Sequence, residues 1–229
     1  MLGGGPVANA ATPFEAAARQ TVARYRRSTP AAAWFVAGKL RRDPVYRQLA
    51  ERGPHPGPIV DLGCGLGHTG LLLAALQPGA SVLGLDWDLR KLRRARRAAA
   101  GIANVRFARA DIRRLAATKA GTVLLLDVLH YHPPAEQDAL LAAAAALLTP
   151  GGRLWVRDLD TAAGWRATAT RAQERLARWM GWHRGATLHF RPAAELVGVL
   201  QGIGLHATVQ PSWQGTPFGN VLITAVRSS

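Results

Sequence analysis

The sequence predicts an α/β fold: a mostly parallel seven-stranded sheet with helices on both faces, ending in an antiparallel strand pair. Three observations predict it. After residue 58, short apolar runs alternate with amphipathic helical segments, the texture of a helix-covered sheet. Those runs are apolar without alternation, as in strands buried on both faces. The last two strand candidates are joined by Pro211–Gly219, which is too short for a helical crossover, so they must pair antiparallel.

The elements follow in order. Residues 1–12 are rich in Gly, Ala and Pro and show no periodicity. Phe14, Ala18, Val22 and Tyr25 then recur at three- and four-residue spacing, which predicts a helix over Pro13–Arg27. Pro30 breaks it, and a second helical stretch runs from Ala31 to about Leu40. Pro44 interrupts again before Val45–Arg52. Gly53–Pro58 is a linker by composition. Residues 1–52 therefore read as a helical extension or lid, and 58–229 as the main domain.

Within that domain the strand candidates are Ile59–Leu62, Ser81–Asp86, Val105–Ala108, Thr122–Asp127 and Arg153–Arg157. Helices are expected between them at Thr69–Leu76, Leu89–Ala100, Ile112–Ala116 and Ala135–Leu148. A basic helical insertion follows over about Thr161–Arg184, within a segment that reaches Phe190. A helix at Pro192–Gly202 precedes the final strands, Leu205–Gln210 and Asn220–Val226.

Composition narrows the class. The 229 residues carry 29 Lys+Arg against 14 Asp+Glu, a formal charge of +15. Only Lys39, Lys91 and Lys119 are lysines, so the excess is arginine. It reflects either a GC-rich coding sequence or an acidic partner: nucleic acid, a membrane surface or an acidic carrier protein. Cys64 is the single cysteine, which excludes a disulfide scaffold and fits a reducing compartment. No apolar run approaches the roughly 18 residues needed to span a bilayer, and Met1–Ala10 lacks signal-peptide features. The expectation is a cytoplasmic protein.

The strongest local signal is Asp61-Leu62-Gly63-Cys64-Gly65-Leu66-Gly67, placed after a strand and before a helix. Glycines there let the backbone turn sharply and approach a ligand. Asp61 sharpens this reading. A carboxylate beside the loop repels a pyrophosphate and welcomes an ammonium, which favours a ligand carrying an amino-acid moiety. Asp86, at the end of the second strand, is placed to bind two ribose hydroxyls. Trp87 beside it either lies against a purine or packs. Asp111 either accepts from an adenine amino group or caps a helix. Asp127 ends the fourth strand, at the edge where such sheets form their ligand crevice.

Asp61–Gly67, Asp86, Ala110-Asp111-Ile112, Asp127 and Thr149-Pro150-Gly151-Gly152 together resemble the ordered motifs of class I S-adenosylmethionine-dependent methyltransferases. The resemblance covers about residues 58–226, and it implies the Rossmann-like seven-stranded sheet of that family. It implies S-adenosylmethionine as cofactor, its methionine part held by Asp61 and the Gly63, Cys64, Gly65 and Gly67 loop. Asp86 would hold the ribose, and Asp111 with the Ile112 backbone the adenine. Asp127 and the residues after it would line the reacting end.

An oxygen or nitrogen acceptor often needs a base to remove its proton. His130 and His132 follow Asp127, and His130 is the catalytic candidate, with Tyr131 on the pocket wall. Their structural alternatives are a hydrogen-bonded strand end and core packing. No Asn/Asp-Pro-Pro-Tyr/Phe element follows the fourth strand, which weighs against methylation of base or glutamine amines. His183 and His189 lack ligand spacing, so no metal is expected. Trp165, Trp179 and Trp182 of the insertion either enclose an aromatic or acyl acceptor or pack into the domain.

A narrower set also carries a resemblance: Ala33-Trp34-Phe35, Gly38-Lys39-Leu40 through Asp43-Pro44-Val45-Tyr46, Asp127–Tyr131 and Gly215–Val221. It is similar to methyltransferases encoded beside aryl-polyene and related pigment or fatty-acid synthesis enzymes. That implies a hydroxyphenyl-type or acyl acceptor, carried in some cases on an acidic acyl carrier protein. The alternatives are an RNA methyltransferase using the basic surface and a non-catalytic cofactor-binding partner protein.

Overall fold

The computed structural model describes residues 11–26, 29–114, 118–166 and 187–228. Three helices open the chain: α1 (Pro13–Arg26), α2 (Pro30–Arg42) and α3 (Pro44–Glu51). Each begins on a proline, whose missing N–H costs nothing in the first turn. Thr12 and Glu15 close a capping box on α1: the Glu15 amide donates to Thr12 Oγ1 at 3.2 Å, and the Thr12 amide to Glu15 Oε2 at 3.0 Å. Asp43 caps α3 by accepting from the Val45 amide.

The elements that follow are β1 (Ile59–Leu62), α4 (His68–Leu76), β2 (Val82–Asp86), α5 (Leu89–Ala98), β3 (Val105–Arg109) and β4 (Ala120–Leu126). A short 3-10 turn (Leu129–Tyr131) leads into α6 (Pro134–Leu147) and β5 (Leu148–Leu159). The chain ends with α7 (Ala193–Gly202), β6 (Leu205–Pro211) and β7 (Asn220–Arg227).

The seven strands form one sheet in the order β3-β2-β1-β4-β5-β7-β6. The first five are parallel, and β7 runs antiparallel to both of its neighbours, as the short Pro211–Gly219 connection requires. The strand order reverses between β1 and β4. In open α/β sheets a ligand crevice opens at that switch, outside the carboxyl ends of the strands.

Two cores cover the two faces. Val60, Leu62, Val123, Leu125, Ile223 and Ala225 pack under α6 and α7. Ile59, Val82, Leu124 and Trp155 point the other way, into a core shared with α4, α5 and the opening helices. Phe14, Tyr25, Val36, Tyr46 and Leu49 belong to this second core. Helices α1, α2 and α3 are thus part of a sheet-covering layer.

Two local expectations need correction. No helix forms over Ile112–Arg114, which is a turn; Leu115 and Ala116 of that expected helix lie outside the described residues. Asp111 instead bends the chain back on itself, its Oδ1 accepting from the Arg113 amide at 3.0 Å. The fifth strand is also longer than the apolar run Arg153–Arg157. It starts at Leu148 opposite Ala120, and Thr149–Gly152 bulge before pairing resumes at Thr122↔Arg153. Most of the expected insertion, with Trp179, Trp182 and His183, lies outside the described residues.

Candidate active site

Four strand ends converge at the switch point. β1 brings Asp61, β2 brings Asp86, β4 leads to Asp127 and His130, and β5 brings Arg157 and Asp158. The glycine loop crosses the end of β1, tied to β2 by the Gly63 and Cys64 amides, which donate to the Leu85 carbonyl at 2.8 and 2.9 Å. Gly67 adopts φ +75°, and a Cβ there would meet Phe107 Cζ at 2.4 Å, so only glycine fits. Gly65, at φ +55°, differs: a Cβ on it would meet nothing within 4 Å. The loop backbone at Gly65 faces open space. Cys64 is buried, and burial raises its thiol pKa, first by desolvation and then through the Asp61 and Asp86 carboxylates.

Asp86 anchors the loop. Its Oδ2 accepts from the Gly65 amide at 2.7 Å and its Oδ1 from the Asp88 amide at 2.8 Å. Each oxygen keeps a further lone pair for a hydroxyl. Asp61 is buried, and its Oδ2 has no hydrogen-bond partner among the described residues. Burial, aided by the Asp86 charge, pushes its carboxyl up to about 7. A buried acceptor with no donor is the partner an ammonium group needs.

The opening helices reach over these strand ends. The Tyr25 hydroxyl donates to the Leu66 carbonyl in the glycine loop at 2.6 Å. Tyr46 Oη lies 2.7 Å from Nε2 of His68, in the first turn of α4. Burial, and then the Lys39 charge, holds the His68 imidazole down at about 4, so it is neutral.

Four charges lie alongside. Arg157 is buried and bonds to Asp127, and its Nη2 donates to Asp43 at 3.1 Å. Lys39 Nζ lies 3.1 Å from Asp43 and 3.6 Å from Asp127. Burial opposes ionisation of Asp127, yet Arg157 and Lys39 hold its carboxyl at about 2. Asp127 also sits in the left-handed region at φ 57°, turning the chain from β4 toward His130.

His130 is buried, and its Nδ1 lies 2.8 Å from Asp158 Oδ1. Its ring stands 4.3 Å from Tyr131 and 5.1 Å from Phe190, centroid to centroid. The His189 amide donates to the His130 carbonyl at 2.8 Å, so the chain returns from the insertion beside this histidine. His132 lies apart from that wall, its Nδ1 3.0 Å from Glu136 Oε2.

The remaining candidates are less enclosed. Trp87 is 72% exposed and not packed into the core. Asp111 is exposed and held bidentately by Arg113, at 2.9 and 2.8 Å, which keeps its carboxyl at about 2. Ile112 is half-buried in the turn after it. Among the described residues no group of three or more His, Cys, Asp or Glu side chains is arranged to hold a metal. No helix among them is long and apolar enough to cross a membrane.

Reasoning from sequence missed Asp158, Arg157 and His68. Asp158 had a usable signal, since it stands at the carboxyl end of the fifth strand. Arg157 pairs with Asp43 across 114 residues, which no local pattern reveals.

A switch-point crevice with a glycine loop after β1, acids ending β1 and β2, and an antiparallel β7 defines a Rossmann-like methyltransferase fold. Residues 59–152 match the family described as "Methyltransferase domain". Residues 59–152 are thus a methyltransferase domain, and the match together with the sheet order supports a class I S-adenosylmethionine-dependent methyltransferase. It is 39% identical over 106 residues to a trans-aconitate 2-methyltransferase of Methylobacterium nodulans, covering 46% of this chain but only 39% of that protein. A tRNA (guanine-N(7)-)-methyltransferase of Chloroflexus aggregans is 32% identical over 147 residues, 59% of this chain and 65% of that one. A ubiquinone biosynthesis O-methyltransferase of Sinorhizobium fredii is 28% identical over 187 residues, 78% and 74% of the two chains. Among solved structures, an O-methyltransferase family protein from Burkholderia thailandensis superposes with a TM-score of 0.70. It is 22% identical and covers 90% of this chain and 62% of that one.

Proposed function

We propose that this chain transfers a methyl group from S-adenosylmethionine to a small-molecule acceptor, a hydroxyphenyl-type or acyl compound of a pigment or other secondary pathway. The single observation that carries this reading is the His130–Asp158 pair, which stands beside aromatic rings at the strand ends next to the glycine loop.

The cofactor supplies an electrophilic methyl carbon on a sulfonium. The residues present fit it. Asp61 offers a partnerless carboxylate oxygen for the ammonium, Gly65 an open backbone, and Asp86 two oxygens for the ribose hydroxyls. Trp87, Asp111 and the Ile112 backbone would border the adenine, with the Asp111 carboxylate shared with Arg113. Asp127, already engaged by Arg157 and Lys39, would shape the reacting end without holding the cofactor directly.

His130 would act as the general base. Asp158 accepts from Nδ1–H, which sets the tautomer with the lone pair on Nε2. A phenol proton passed to that nitrogen leaves an oxygen nucleophile. Phe190 and Tyr131 would hold an aryl ring and keep water out. The similarity to a ubiquinone biosynthesis O-methyltransferase supports an oxygen acceptor. An acidic acyl carrier protein would suit the net charge of +15 as a delivery partner.

The similarity to a tRNA methyltransferase favours a second reading, with RNA as acceptor. One experiment separates the two: S-adenosylhomocysteine release is followed with phenolic, acyl-thioester and bulk tRNA acceptors. Turnover on a phenol or acyl compound supports the first reading, and turnover on tRNA alone replaces it. Cofactor binding without turnover on any acceptor in the cell extract would favour a non-catalytic partner protein.

A further inference from the structure

The positive charge is not spread evenly. Between Leu89 and Arg114 the chain carries ten Lys and Arg against one acid, Asp111, so 26 residues hold +9 of the total +15. All ten are exposed. They fall on α5, on β3, which is the edge strand of the sheet, and on the turn that follows it.

The geometry concentrates them further. On α5, Leu92, Ala95 and Ala98 are buried against the sheet. Arg90, Arg93, Arg94 and Arg97 share the outer face at i, i+3, i+4 and i+7 spacing, a stripe about 10 Å long. On β3, Arg106 points to the opposite face of the sheet, because its neighbours Val105 and Phe107 point into the core under α5. The cations therefore wrap both sides of the edge. Among the described residues, Arg93, Arg94, Arg97, Arg106 and Arg109 make no ion pair, and Asp111 is already taken by Arg113.

Three kinds of partner neutralise such a surface: a nucleic acid, an anionic membrane surface and an acidic protein. Membrane binding also needs an apolar face that enters the lipid, which this row of cations does not provide. Protein interfaces take their energy from a buried apolar or aromatic centre within a polar rim. This surface has no such centre: its exposed large apolar side chains, Trp87 and Leu89, lie at its rim before Arg90, and none is exposed between Arg90 and Arg114. Charge without an apolar anchor is the composition of a nucleic-acid interface. Nine of the ten cations are arginines, whose planar fork matches phosphate oxygens.

We propose that α5 and β3 form a docking surface for the phosphate backbone of a nucleic acid, set to one side of the methyl-transfer crevice. β3 is three strand spacings from β4, which leads to His130, on the order of 14 Å across the sheet. Docking at this edge does not depend on which acceptor is methylated. It therefore stands or falls separately from the function proposed above.

The test is fluorescence anisotropy of the full chain with a labelled 20-nucleotide single-stranded RNA of mixed sequence, from 50 to 300 mM salt. Three variants are compared: R93Q/R94Q/R97Q on α5, R106Q/R109Q on β3, and R19Q/R26Q/R41Q as a charge-matched control on the opening helices. Titration with S-adenosylhomocysteine checks that each variant is folded. The expected result is tenfold or greater loss of RNA affinity for the α5 variant, with the salt slope reduced by about 2. The β3 variant should lose several-fold, and the control less than threefold. Three results overturn the proposal. One is no binding at 50 mM salt. Another is equal loss in the control, which would make total charge the cause. The last is displacement by polyglutamate at matched charge, which would point to an acidic protein instead.

Discussion

Asp158 holds His130 twice: its Oδ1 lies 2.8 Å from Nδ1 of the ring, and its Oδ2 accepts from the His130 backbone amide at 3.1 Å. One carboxylate thus sets both the place of the turn after β4 and the orientation of the imidazole. Replacing Asp158 by Asn should lower turnover of the active acceptor by about 10²-fold, within the range for general acid–base catalysis. S-adenosylhomocysteine affinity should stay within threefold. His130→Ala should cost as much or more in turnover. The double variant should be no slower than His130→Ala alone, because the two residues act as one unit. Additive losses would make Asp158 merely structural.

Asp86 ties the glycine loop to β2 through the Gly65 and Asp88 amides. Asp86→Ala should weaken S-adenosylhomocysteine binding at least tenfold in calorimetry. The melting temperature should fall too, since each stranded amide costs about 1–3 kcal/mol. Unchanged affinity would remove Asp86 from the ribose site.

Two glycines of one loop should behave differently. Gly67→Ala drives a methyl group into Phe107, in a backbone conformation that L-residues resist. A loss of roughly 3 kcal/mol is expected, read as a fall of about 6–12 °C in melting temperature. Gly65→Ala meets no protein atom, so it should cost only about 1 kcal/mol, from its positive φ. Its effect should appear instead as a tenfold loss of cofactor affinity. Full affinity in Gly65→Ala would mean that the ligand does not approach the loop there.

What the chain reveals locally explains which parts of this site were legible. The strand–glycine loop–helix from Ile59 to Leu76 is one continuous stretch, and its pattern alone predicts the element boundaries to within a residue. The antiparallel end followed from the length of Pro211–Gly219. The expected helix at Ile112 failed because an Asp that caps a helix and an Asp that bends a turn look alike in sequence. Asp111 does the second, with Arg113 completing it. Lys39, Asp43, Asp127 and Arg157 meet only once α2 lies across the strand ends. That meeting depends on tertiary packing, which spacing does not encode.

Asp61 and His68 should pull the pH dependence of stability in opposite directions. An unfolded aspartate titrates near 3.9, while burial and Asp86 push Asp61 up to about 7. Between these values the folded chain keeps a proton that the unfolded chain has lost. The contribution of Asp61 is therefore full below about pH 4 and is lost as pH rises through 7. An unfolded histidine titrates near 6.5, while burial and Lys39 hold His68 at about 4. Its contribution is full above about pH 6.5 and is lost as pH falls through 4. Denaturant titrations from pH 4 to 8 should separate the two. Relative to the parent, Asp61→Asn should become more stable as pH rises toward 7, by at most about 1.4 kcal/mol per pH unit. His68→Gln should gain relative stability as pH falls. Calorimetry adds a second reading of Asp61. S-adenosylhomocysteine should bind the parent more tightly as pH rises through 7, because its ammonium selects the ionised carboxylate. Asp61→Asn should bind more weakly, without that rise. An identical pH profile in the variant would show that Asp61 neither carries the shifted proton nor meets the ammonium.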